Sequence, residues 1–321
     1  MKKIIFLLVI VSIIGCKQKP EKKEVKKAIK IEINTLKDVN LASGTIDRIE
    51  NFPTETITSR PVDIWLPDGY SQEKEYAVLY MHDGQMLFDA ATTWNKQEWK
   101  VDEIASQLQS EGKTKDFIVV AVHNISEIRW NDYFPAKAMD YVSEADMKKI
   151  TALANRNMAN MELYADNYLK FLTSELKPFI DRVYSVKKDK ENTVIAGSSM
   201  GGLISMYAIS EYPDVFGAAA CISTHWPGAG VSKENPLPDA IFVYMNEKLP
   251  MAGSNRIYFD YGDKTLDQFY PQYASKVDEI LAKKGYDASN SANRFFEGAD
   301  HSENSWNQRL DIPFTFLLAK N

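Results

Sequence analysis

The chain has 321 residues, 45% of them hydrophobic and 26% charged, with a formal net charge of −6. Such a length buries a sizeable core, while the acidic balance excludes the clustered basic surface that nucleic acids require. Two cysteines exclude a disulfide-stapled scaffold.

The first residues read as a targeting segment. Met1-Lys-Lys is a basic start, Ile4 to Ile14 is an apolar run, and Ile13-Ile14-Gly15-Cys16 closes it. Eleven residues fall short of the about 20 that span a bilayer, so residues 1–15 are expected to be a signal peptide. The closing tetrapeptide resembles the lipobox of bacterial lipoproteins, which implies that Cys16 carries lipid and holds the protein in the bacterial cell envelope, on the periplasmic or cell-surface side. Residues 17–30 hold seven lysines and two glutamates with few apolar residues. They cannot form a core and are expected to be a disordered basic tether, residues 16–30. Nine of the 38 basic and two of the 44 acidic residues lie in the first 30, leaving 29 basic against 42 acidic, a net −13, in residues 31–321.

Residues 31–321 read as one α/β domain. The stretches 44–49 and 56–66 alternate apolar and polar residues, as half-exposed antiparallel strands do. Residues 76–81, 117–122 and 193–196 are continuous apolar runs, the pattern of strands covered on both faces. Strands at 218–222, 256–259 and 293–296 complete the series, and helices are expected at about 97–109, 160–182, 200–211, 267–284 and 303–319. An antiparallel start followed by strand–helix alternation implies a mixed, mostly parallel sheet with helices on both faces, the layout of an α/β-hydrolase. Residues 131–165 fit this series poorly; their Ala, Met, Lys and Glu content suggests a helical flap near the site. Cys221, in an apolar run, reads as a small buried hydrophobe.

The chemistry centres on Thr193-Val-Ile-Ala-Gly-Ser-Ser-Met-Gly-Gly202, a strand, a tight turn and the start of a helix. This is G-x-S-x-G centred on Ser199, in the setting that lifts a serine hydroxyl above a sheet. Crowding at such a turn requires small residues at Gly197 and Gly201. The serine needs a base, and there are four histidines. His82 and His123 precede the serine and follow strands; His225 follows too soon for an acid-bearing strand to intervene. His301 remains, in the loop before the last helix, where it can reach the carboxyl edge of the sheet. A histidine suits the task because imidazole both takes and returns a proton near neutrality. The strand 256–261 runs into Gly262-Asp-Lys-Thr-Leu-Asp267, so Asp263 and Asp267 are both candidates for the orienting acid. The oxyanion donors are expected to be the backbone N–H of Met200 and one from the loop His82-Asp-Gly-Gln-Met86. Trp226, His225, Trp94 and Arg129 lie in loops near this site and are candidate substrate contacts, Arg129 for a carboxylate or a sugar hydroxyl.

Five segments give the chain a resemblance to a known family: Arg60-Pro-Val-Asp-Ile-Trp-Leu-Pro67, Tyr80-Met-His-Asp-Gly-Gln85, Gly197 to Gly202, Gly262 to Asp267 and His301 to Trp306. It resembles the esterase D-like esterases over residues 44–321. That group includes feruloyl and acetylxylan esterases of carbohydrate esterase family one, enterochelin-esterase-like hydrolases and S-formylglutathione hydrolases. The resemblance implies Ser199 as nucleophile, His301 as base and an oxyanion loop around Gly84 and Gln85, and it favours Asp267 over Asp263. The leader and residues 131–165 depart from the family pattern. The expected activity is a serine esterase acting on acetyl or feruloyl esters of carbohydrate, with a siderophore esterase as the alternative. A non-catalytic, surface-displayed glycan-binding lipoprotein is the rival of another class, against which the Ser199–His301 pair argues. No H-E-x-x-H pattern, clustered ligand spacing or glycine-rich phosphate loop occurs, so no metal or cofactor is expected. The expected partner is a small-molecule or oligosaccharide ester, with membrane contact through the lipid anchor only.

Overall fold

A computed structural model describes residues 31–154 and 162–320. The leader, Cys16 and the basic tether lie outside the described residues. Nine strands form one sheet in the order β1-β2-β3-β5-β4-β6-β7-β8-β9. They are β1 Asn34–Thr35, β2 Thr45–Ile49, β3 Val62–Leu66, β4 Ala77–His82, β5 Phe117–Val122, β6 Thr193–Ser198, β7 Ala218–Ile222, β8 Arg256–Tyr261 and β9 Ser291–Phe295. The pairs β1–β2, β2–β3 and β3–β5 are antiparallel, and every pair from β5 to β9 is parallel. The apolar runs of β4, β5 and β6 are buried along their whole length because helices cover both faces.

On one face, α6 Met200–Glu211 and α7 Leu237–Lys248 pack with the run α4 Ala165–Lys170, a π-helical stretch Phe171–Leu176 and α5 Lys177–Val183, together with α8 Ala274–Lys283. On the other face, α1 Val101–Ser110 and α10 Asp311–Leu318 cover the sheet. Several expected boundaries shift. Residues 56–61 are outside any strand. Helix α1 starts only at Val101, and the expected helix 267–284 is a 3-10 turn Thr265–Phe269 followed later by α8. The expected helix 303–319 is two pieces, α9 Glu303–Asn307 and α10. Helix α7 was not legible in the sequence: seven of its residues, from Leu237 to Met245, are buried, so no polar stripe marks its period.

Of residues 131–165, only 131–154 and 162–165 are described, and their first part packs into the core while most of 140–149 is exposed or half-buried. Helices α2 Arg129–Tyr133 and α3 Glu144–Ala154 are present, but Tyr133, Phe134, Ala138 and Ile150 are buried in the same core as the sheet and α6. An apolar stretch that completes a core gains more from burial than from lying over a solvated cleft. Lys137 pairs with Glu211 at the end of α6, and the buried Arg60 guanidinium donates to Asp132 at 2.9 Å. Arg60, part of the family-like segment, therefore secures α2 and plays no part in the cleft.

The parallel strands all point their carboxyl ends at one edge. The loops after β4, β5, β6, β7, β8 and β9 gather there, and all the chemistry below is on them.

Candidate active site

Ser199 sits between the last residue of β6 and the first of α6, with φ 58° and ψ −121°. A side chain is rarely held there, at a cost of about 1–3 kcal/mol, and the surroundings must over-determine it. They do. The Ser199 N–H donates to Ile222 O at 2.9 Å, and its carbonyl accepts from the N–H groups of Gly202, Leu203 and His225 at 3.0, 3.2 and 3.1 Å. A Cβ on Gly197 would lie 2.8 Å from the Gly201 backbone, and one on Gly202 would lie 2.8 Å from Thr224 Oγ1. The expected need for glycine at 201 is weaker, since a Cβ there would lie 3.4 Å from its nearest neighbour. Close packing thus falls on Gly197 and Gly202.

His301 and Ser199 line the same cavity of about 490 Å³. The His301 ring is held edge-on to Trp306, with centroids 5.0 Å apart, and its backbone N–H donates to Thr265 Oγ1 at 2.9 Å. His301 Nδ1 lies 2.6 Å from Asp267 Oδ1. A carboxylate accepts, so the proton is on Nδ1 and the Nε2 lone pair is left for the cavity. Of the two candidate acids, the geometry joins Asp267 to the imidazole. Asp263 instead accepts from Gly298 N at 2.9 Å and pairs with Lys264, a turn-stabilising role.

Behind Asp267 lies a buried polar relay that no sequence pattern marked. Asp267 Oδ2 accepts from Gly262 N and from Ser223 Oγ, both at 2.7 Å. Ser223 Oγ in turn accepts from Trp306 Nε1 at 3.0 Å and Arg309 Nη2 at 2.9 Å. A hydroxyl has one hydrogen and two lone pairs. With both lone pairs occupied, the hydrogen of Ser223 is directed at Asp267. Arg309 is itself held by Asp260, which also accepts from Ser223 N at 3.0 Å. Only tertiary contact makes this set visible, because its members come from the ends of β7 and β8 and from the chain between α9 and α10.

The oxyanion loop is equally constrained. Asp83 has φ 57°, and its carboxylate receives two bonds from Arg129, each 2.7 Å, and one from Asn124 at 2.6 Å. Burial pushes the Asp83 carboxyl up, but Arg129 and Asn124 outweigh it and hold it below the usual range. The 3-10 turn Gly84–Met86 follows. Gln85 lines the same cavity as Ser199, with its side-chain Oε1 accepting from Asn124 N at 3.0 Å. Amides at the start of a helical turn have no intrahelical acceptor, which leaves those of Gln85 and Met200 available to an oxyanion. Gly84 has a steric reason: a Cβ would lie 2.7 Å from the Ala121 backbone of β5.

Two expected substrate contacts are corrected, Trp226 and His225, which do not line the cavity. Arg129 does line it, although two of its nitrogens are held by Asp83 and it stands over the Tyr133 ring, which braces the loop after β4. Trp226 is buried and stacked on Phe242, centroids 4.6 Å apart, because the apolar face of α7 needs that cover. His225 has both ring nitrogens engaged: Nε2 donates to Ala229 O at 2.9 Å, so Nδ1 accepts from Tyr270 Oη at 2.8 Å. Trp94 does line the cavity and is 84% exposed, with Trp99 and Trp306 forming further aromatic wall.

Comparison with known proteins follows from this geometry. A family model described as "Putative esterase" matches residues 54–316. The endo-1,4-beta-xylanase/feruloyl esterase of Xylanibacter ruminicola is 26% identical over 280 residues, which cover 86% of this chain and 31% of that protein. The chain therefore spans about a third of that relative. A ferulic acid esterase structure aligns with TM-score 0.59 and 19% identity, over 90% of this chain and 98% of the other. The enterobactin esterase FES from Shigella flexneri aligns with TM-score 0.59 and 17% identity, over 85% and 59% respectively. These structural likenesses establish the fold as that of the α/β-hydrolase esterases.

Two buried histidines beside the site tie stability to pH. Burial pushes His82 down to about 3, the Arg129 charge adding to this and Asp83 opposing it. Burial likewise pushes His225 down to about 4, despite its bond to Ala229. Unfolded histidines titrate near 6.5. Between that value and the folded ones the unfolded chain binds more protons, so stability falls as pH drops through this window. From pH 7 to pH 5 the two histidines together contribute an expected loss of the order of 3–4 kcal/mol, at about 1.4 kcal/mol per pH unit for each. Asp102, whose carboxyl is pushed up to about 7 by burial and by Glu103, gains its proton in the folded state over the same range and offsets part of that loss. Urea unfolding at the two pH values, with and without replacement of His225 by Asn, isolates the His225 share: the variant should lose about 2 kcal/mol less, and an equal loss would remove His225 from the account.

Proposed function

The chain belongs to this esterase family, and from that premise we propose that it is a serine esterase with Ser199 as nucleophile, His301 as base and Asp267 as orienting acid. One observation carries the assignment: the imidazole of His301 is bonded to Asp267 at 2.6 Å while facing the cavity that Ser199 also lines. In this mechanism Ser199 Oγ attacks the ester carbonyl as its proton passes to His301 Nε2. The oxyanion is held by the amides of Met200 and Gln85. The tetrahedral intermediate collapses, the C–O bond to the alcohol breaks, and His301 returns the proton to the departing oxygen. Water then attacks the acyl-Ser199 ester by the same route and releases the acid.

The substrate we propose is a hydroxycinnamoyl (feruloyl) or acetyl ester on carbohydrate. The naming of the Xylanibacter relative supports this class. The tryptophans along the cavity favour a planar aromatic acyl group over acetyl. A siderophore ester is the second reading, supported by the likeness to the enterobactin esterase. We further propose that Cys16 is lipidated and anchors the domain in the cell envelope through residues 16–30.

For the purified protein, Ser199→Ala should reduce hydrolysis of 4-nitrophenyl acetate and methyl ferulate to the uncatalysed rate. Asp267→Asn should lower kcat by about 10³–10⁴, and Asp263→Asn by no more than a few-fold; the reverse order would move the acid. Ser223→Ala removes a donor to the Asp267 carboxylate, a bond worth about 1.5–3 kcal/mol. The expected result is a kcat at least 10-fold lower, an unchanged KM, and an acidic limb of the pH–rate profile displaced upward as Asp267 pairs more strongly with the imidazolium. An unmoved limb would leave Ser223 with a packing role alone. Cys16→Ser should shift the protein from the membrane to the soluble fraction, and retention in the membrane fraction would refute the anchor.

A further inference from the structure

A second cavity of about 550 Å³ opens on the other side of the oxyanion loop. Gln85 lines both cavities, and Gly84 lines the second. The size is that of a small-molecule site. Its position is built, since the N-terminal segment folds over it: Asn40 N and Nδ2 donate to the Asp89 carboxylate at 3.1–3.3 Å, and Leu36 N donates to Ile46 O at 2.8 Å.

One wall is apolar, made by Leu36, Val39, Ile46 and Phe88. Polar groups stand on the strand ends. Arg48 gives Nε and Nη2 to Asp63 at 2.6 and 2.7 Å, and His123 Nε2 lies 2.8 Å from the same carboxylate. Asp63 is therefore saturated. Burial raises its carboxyl, but Arg48 and His123 overcome that and keep it ionised. His123 donates from Nε2, which makes Nδ1 an acceptor, while Arg48 Nη1 has no acceptor among the described residues. Arg48 and His123 thus bring an unused donor and an unused acceptor to the lining of a cavity with an apolar wall, which matches a group with hydroxyls on its edge and C–H on its face. Three carboxylates, Asp38, Asp63 and Asp89, line the cavity against two cations, Lys37 and Arg48. That balance, in a domain of net charge −13, disfavours an anionic ligand.

We propose that this cavity is a subsite for a neutral sugar residue, the alcohol side of the ester whose acyl group occupies the cavity at Ser199. The proposal rests on the esterase assignment and adds a place for the carbohydrate. It also separates the two substrate readings, because a ferric catecholate is polyanionic and a xylose residue is not. The His123 ring is adjacent to Gly84, where a Cβ would lie 2.9 Å from its Cδ2.

The test uses Thr92, an exposed residue at this cavity and absent from the catalytic one. Binding of unesterified xylotetraose to the Ser199→Ala protein is measured by calorimetry, alone and combined with Thr92→Trp or Asp38→Ala. Expected are saturable binding and at least a 10-fold weaker Kd with Thr92→Trp. In the Ser199 background, Thr92→Trp should leave 4-nitrophenyl acetate hydrolysis within 2-fold, which also reports correct folding. It should lower kcat/KM for a feruloylated xylo-oligosaccharide at least 10-fold, mainly through KM. No xylotetraose binding, binding indifferent to both substitutions, or tighter binding of a ferric catecholate at this site would overturn the proposal. Because the binding arm uses a protein without the nucleophile, its outcome is independent of whether Ser199 proves catalytic.

Discussion

The turn from Ile222 to His225, after β7, holds the site together. Its first carbonyl receives the Ser199 N–H and its last amide donates to the Ser199 carbonyl, which pins the serine at φ 58°. Its second residue, Ser223, itself at φ 40°, directs the only hydrogen of its hydroxyl at Asp267. Ser199 and Asp267, the proposed nucleophile and acid, 68 positions apart in the chain, are thus referenced to the same four residues. Such strain persists only where surrounding contacts over-determine it, and here they come from the sheet, from α6 and from Arg309. The gain is preorganisation: the groups need no rearrangement when charge develops.

Buried charge is used in the same way around the oxyanion loop. Asp83 adopts a left-handed conformation, and its carboxylate is fully committed to Arg129 and Asn124. An ionised carboxylate that far from water is tolerable only when so paired. In return the three-residue turn Gly84–Met86 is fixed against β5, where Gly84 allows close approach. Arg129 braces the loop while still lining the cavity, since its two bonds to Asp83 leave other guanidinium donors unused.

The two cavities on either side of this loop differ in lining. At Ser199 three tryptophans stand among polar side chains; beyond Gln85 aliphatic side chains meet the Arg48–Asp63–His123 array. Both cavities sit on the carboxyl edge of the sheet because parallel strands end there together; β2 brings Arg48 there at its end, and β3, running the opposite way, brings Asp63 there at its start. The N-terminal antiparallel strands thus extend the edge on which the cavities open.

Much of the architecture was legible because burial writes itself into composition. Strands β4, β5 and β6 are covered on both faces and read as unbroken apolar runs, and G-x-S-x-G between strand and helix has one steric solution. His301 emerged by elimination from four histidines. Helix α7 and the packing of residues 132–138 were not legible, since a segment buried on several sides loses the periodicity that marks an exposed face. Of Asp263 and Asp267, both beside turn signals, only folding shows which meets an imidazole 34 residues away. The same holds for Ser223, Arg309 and Asp260, and for Trp226 and His225, whose packing and hydrogen-bonding capacity is taken up by other residues. By itself the sequence determined the order of strands and helices and the tight serine turn, because these follow from local sterics and from which residues avoid water. The tertiary structure alone decided which polar groups are paired with one another and which face the cavity, because hydrogen-bond partners are set by three-dimensional approach between segments far apart in the chain.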